Sequence, residues 1–74
     1  MNAERRKRIS QAQDKLNELQ NEVSEILGEE QEYFDNMPES FQQGEKGSNA
    51  EEAISNLEQA VSDIESAIDS LGAR

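Results

Sequence analysis

Residues 50–71 read AEEAISNLEQAVSDIESAIDSL, with apolar members at Ala50, Ile54, Leu57, Val61, Ile64, Ile68 and Leu71. These positions advance by alternating steps of four and three, the heptad pattern of a helix laid along another helix. Just upstream, Ser48-Asn49-Ala50-Glu51 reads as a capping box, in which the Ser and Glu side chains each accept from a backbone N–H of the other. Gly72 reads as the stop. The stretch therefore predicts a helix over about 49–71, and the fold class is all-α.

The partner lies earlier in the chain. Ile9, Ala12, Leu16, Leu19, Val23 and Ile26 repeat the same three-and-four spacing, with Asn2 placed as N-cap. Leu27 and Phe34 lie one position off this seam and widen its apolar stripe. Gly28 costs about 1 kcal/mol in a helix interior and is a candidate bend. The predicted first helix spans about 3–35. Asn36-Met37-Pro38 ends it, since the residue before proline leaves the α region and Asn accepts a left-handed turn. Residues 36–48 are then a polar loop in which Phe41 is expected to fold back on Tyr33 or Phe34.

Two helices joined by a short connection pack as antiparallel neighbours. The expected architecture is a single domain over 1–74, an antiparallel two-helix hairpin of coiled-coil type. The register that leaves no seam residue unpaired sets Ile9 against Leu71, Ala12 against Ile68 and Leu16 against Ile64. It continues with Leu19 against Val61, Val23 against Leu57 and Ile26 against Ile54. Leu27, Tyr33, Phe34, Met37 and Phe41 would form a satellite core at the closed end.

A chain of 74 residues buries only about 60% of its extended-chain surface. With no Cys and no His, disulfide and metal staples are missing, so assembly into a helical-bundle homo-oligomer is the expected source of stability. Ala53, Ala60 and Ala67 make a second stripe in helix 2. They are either good helix formers on a flank or a close-packed face against a further helix.

The same composition points away from an enzyme. The commonest general base and the strongest nucleophile are absent, and the abundant carboxylates read as solvated faces. No cofactor and no metal site are expected. No apolar run approaches a membrane span, and no apolar signal core follows the basic start, so a cytoplasmic protein is expected.

Seventeen acids against seven bases give a net charge of −10. Four of the bases are Arg5, Arg6, Lys7 and Arg8, at the positive end of a helix dipole, where they are disfavoured. Three readings stay open for this cluster. It pairs with acids of another helix, it contacts an anion or nucleotide, or it is plain surface. The first helix is charge-segregated, basic at 5–8 and acidic at 29–35, so two antiparallel copies would bring unlike ends together. Duplex DNA binding is not expected, because no groove-reading motif is present and the body is acidic. An acidic helix 2 instead suggests, as one alternative, a mimic of DNA.

The stretch from Glu29 to Glu39, EEQEYFDNMPE, together with the basic start and the acidic, alanine-spaced second helix, resembles small bacteriophage- and prophage-encoded helical proteins. The resemblance runs over residues 5–71. It implies a bacterial host cell and a non-enzymatic protein that binds a host or defence component stoichiometrically. An alternative is a sponge for an anionic nucleotide signal, in which Arg5, Arg6, Lys7 or Arg8 meets phosphate and Tyr33 or Phe34 stacks on a base.

Overall fold

The computed structural model describes residues 2–72. These residues are 92% helical and contain no strand. α1 spans Ala3–Asp35, α2 spans Glu39–Gln42 and α3 spans Glu45–Gly72. Asn2 caps α1 from an extended backbone, its side-chain oxygen accepting the Arg5 N–H at 2.8 Å. One of the donors that a helix start leaves orphaned is thereby satisfied. α1 then passes through Gly28 without interruption, so the glycine marks no break.

The reversal differs from the expected loop. Only Asn36–Pro38 and Gln43–Gly44 are non-helical between α1 and α3. Asn36 sits at φ −87°, not in a left-handed turn, and its N–H donates to the Glu32 carbonyl. The short α2 carries the change of direction, so no single residue has to. Pro38 precedes α2, and its carbonyl accepts the N–H groups of Phe41 at 2.9 Å and Gln42 at 3.1 Å.

α3 begins at Glu45, three residues before the expected capping box. The Ser48 N–H donates to the Gly44 carbonyl at 3.0 Å, so Ser48 already lies inside the helix and is not its cap. The cause is a close approach that only glycine permits. A Cβ placed on Gly47 would lie 2.6 Å from the Gln42 Cα, so α2 rests its backbone directly on the first turn of α3. The two glycines of ESFQQGEKG thus read as loop residues, while one of them is a packing surface. At the other end Gly72 is itself helical, and how the helix stops lies outside the described residues.

α1 and α3 pack against each other in antiparallel sense. Ile9 and Leu71 line one groove at the open end, and the Gln13 side-chain amide donates to the Ile68 carbonyl at 3.3 Å. The ends are therefore level, as the favoured register requires. The rotation of α1 is not as expected. Its half-buried residues are Ile9, Gln13, Leu16, Gln20, Val23, Leu27, Glu30 and Phe34, together with Ala12 on the flank. Leu19 and Ile26, assigned to the seam from their spacing, are 48% and 45% exposed. The helix is turned so that Leu27 and Phe34 face α3, and Gln13 and Gln20 fill the corresponding positions nearer the open end. This rotation turns Leu27 and Phe34 inward at the closed end, and with them Gln13, Gln20 and Glu30. Long amide side chains can cover apolar surface while their heads find partners, as Gln13 does.

On α3, Gly47 and Ala50 are buried, and Ile54, Leu57, Val61, Ile64, Ile68 and Leu71 are half-buried. The hairpin is a rod of 58 × 14 × 12 Å with a radius of gyration of 17.1 Å, against about 11 Å for a compact chain of this length. Its accessible surface is 5599 Å², where a compact monomer of 8.3 kDa exposes about 4,600 Å².

Candidate functional site

The six residues singled out from the sequence fall at opposite ends of the rod. Arg5, Arg6, Lys7 and Arg8 are all exposed on the first turns of α1. Arg5 and Arg8, three apart and hence on one helix face, join Ile9, Ala12 and Leu71 around a shallow groove of about 370 Å³. Arg6 and Lys7 lie outside it. This groove has an apolar floor and a cationic rim, suited to an anion that carries an apolar part.

At the turn, Tyr33 lines a second groove of about 340 Å³ with Asn36, Met37, Pro38, Phe41 and Lys46. Tyr33 and Phe41 are 54% and 50% exposed. Phe41 therefore shares a groove with Tyr33 but is not the core residue of a satellite cluster. The Lys46 ammonium stands 5.4 Å from the centroid of the Phe41 ring, an attraction of about 0.5–1 kcal/mol at an exposed site. Phe34 is placed differently from Tyr33. It is half-buried on the side of α1 that faces α3, and its carbonyl accepts the Gln42 side-chain amide at 2.9 Å. The sequence reading gives Met37 a place in the satellite core and Pro38 the helix stop, and gives Lys46 no role. The aromatic pair Tyr33 and Phe41 flanking a proline turn was the available signal for that groove.

The separation is large. Arg5 and Tyr33 are 28 residues apart on one helix, about 42 Å at 1.5 Å per residue. No one copy of the hairpin can bring its cationic groove to its aromatic groove.

A third surface runs between the two ends. Ala12, Leu19, Ile26 and Tyr33 each directly precede an inward residue of α1, at 13, 20, 27 and 34. Ala53, Ala60 and Ala67 likewise precede inward Ile54, Val61 and Ile68 of α3. In each helix that inward residue is followed three positions later by another. In an antiparallel pair, equivalent flanking positions of the two helices lie on the same side. Both rows therefore share one long side of the hairpin, large side chains on α1 beside alanines on α3. The opposite side carries Ser10, Asn17, Ser24 and Gln31 from α1 and Glu51, Glu58 and Glu65 from α3, all exposed. One side is apolar and the other is polar.

Among the described residues no three acidic side chains converge as a metal site, and no helix is long and apolar enough to cross a membrane. No protein-family model, no curated protein and no solved structure matches the chain.

Proposed function

We propose that this chain is a non-enzymatic, oligomeric binding protein of the phage type, acting stoichiometrically on a host or defence component inside a bacterial cell. The observation that carries this reading is the turn-end groove, where Tyr33 and Phe41 stay half exposed beside Lys46 at the junction of the three helices. Aromatic side chains held on packed elements offer large contact area at little entropic cost, which is what a protein-recognition site uses. Purified protein should then form a complex of fixed stoichiometry with one host component, reconstituted from the two purified partners. Tyr33→Ala with Phe41→Ala should abolish that complex at unchanged helicity. A complex indifferent to both substitutions, or turnover of any substrate, would overturn the reading.

A second reading rests on the cationic groove. Arg5 and Arg8 beside Ile9, Ala12 and Leu71 fit the phosphate and an apolar portion of an anionic nucleotide. Calorimetry with a panel of linear and cyclic nucleotides tests it. Binding that disappears on Arg5→Ala with Arg8→Ala supports sequestration, and absence of heat across the panel removes it.

A further inference from the structure

We propose that the apolar side of the hairpin is covered by a second copy of this chain, bound antiparallel about a twofold axis beside Leu19. This inference deepens the oligomeric reading above and names its partner, face and register.

Area gives the first argument. The hairpin exposes about 1,000 Å² more than a compact chain of its mass, and a stable interface removes about 800 Å² from each partner. The excess therefore matches one partner's share. Half-exposed Leu19 and Ile26 mark where it lies, along the side that also carries the alanine row, while Tyr33 stays at its edge in the turn-end groove.

Charge gives the direction. One helical turn before each residue of the stripe, on the same face, stand Arg8, Lys15, Glu22 and Glu29, all exposed. The order is base, base, acid, acid. A parallel copy would set each of these residues against itself, like on like. An antiparallel copy with its axis midway between Lys15 and Glu22 sets Arg8 against Glu29 of the other copy, and Lys15 against its Glu22. Symmetry repeats both pairs, so all eight side chains meet an opposite charge. Partner choice is thus written along the rim of the apolar stripe.

Register agrees from an independent direction. The same axis falls beside Leu19, which is the midpoint of α1 over Ala3–Asp35. The two copies of α1 then overlap along their whole length. Leu19 meets Leu19, Ala12 meets Ile26 and Arg5 comes opposite Tyr33, so the cationic groove of each copy adjoins the aromatic groove of the other. The α3 helices follow on the same side and approach through Ala53, Ala60 and Ala67, whose small side chains admit a close helix pair. Glu51, Glu58 and Glu65 point away from this joint. The product is a four-helix bundle.

Sedimentation of the full chain at micromolar concentration should give a dimer mass, and a monomer would overturn the proposal. Leu19→Glu should give a monomer of unchanged helicity, because Leu19 makes little of the hairpin's own core. A dimer that survives it would place the interface elsewhere. Lys15→Glu alone, or Glu22→Lys alone, should weaken dimerisation by about tenfold or more, and the double exchange should restore it. Positions 15 and 22 are two turns apart within one helix, so rescue has to come from the other copy, and failure of rescue refutes the register. The chain has no cysteine, which allows a test that does not rest on weakened association. Under oxidation, Leu19→Cys should give a covalent dimer, and Glu58→Cys, on the polar side, should not. The reverse pattern would refute the face. A dimer that captures no partner sinks the binding reading alone, and a monomer that captures one sinks the dimer alone.

Discussion

At the scale of single residues, the glycines separate into opposite cases. Nothing lies within 4 Å of a Cβ built on Gly28, and its helix is uninterrupted there. Gly28→Ala should therefore raise stability by about 0.5–1 kcal/mol through helix propensity and a less flexible unfolded chain. Urea denaturation reads this directly, and a loss of stability would show that the position is needed for packing. Gly47 is the contrary case, pressed on the Gln42 backbone. Gly47→Ala should destabilise by about 1–3 kcal/mol, the range for overfilling a tight contact. The sequence reads Gly28 as a costly residue inside a helix and Gly47 as a loop residue, and neither reading shows which of them is packed. The difference lies in how α2 folds back so that Gln42 meets Gly47, and local composition carries no record of it.

Among the elements, α3 supplies the clearest test of where sequence and structure part. A true N-cap serine replaced by alanine costs about 1 kcal/mol. Ser48 lies inside α3, with its N–H on the Gly44 carbonyl, so Ser48→Ala should leave stability within about 0.5 kcal/mol of wild type. A full cap-sized loss would restore the shorter helix. The heptad seam of α3 is legible because Ile54 through Leu71 form one unbroken row of large apolar residues, and the stripe beside it is only alanine. α1 offered two rows, Ala12–Leu19–Ile26–Tyr33 and Leu27–Phe34, and spacing favoured the first, which the structure turns outward. Only the packing of Leu27 and Phe34 against α3 decides which row turns inward. The candidate site inherited that ambiguity. Tyr33 and Phe34 are neighbours in sequence, yet one lines a surface groove and the other faces the partner helix.

For the whole molecule, the thin core sets the behaviour. Ala50 is the one buried apolar residue among the described residues, which is little for a chain without cysteine or histidine to staple it. Stability of such a hairpin should be linked to association by mass action. The melting temperature should therefore rise with protein concentration. It should become independent of concentration, and lower, in Leu19→Glu. A melting temperature independent of concentration in the wild type would mean that the hairpin is stable alone. The length of α1 has a further outcome once two copies lie antiparallel. Each end of the bundle carries the cationic groove of one copy and the aromatic groove of the other, so the assembly presents two equivalent stations about 40 Å apart. Such an object is bivalent. Against a partner that is itself dimeric, with matching spacing, the second contact forms at high effective concentration, so weak individual grooves suffice for tight retention.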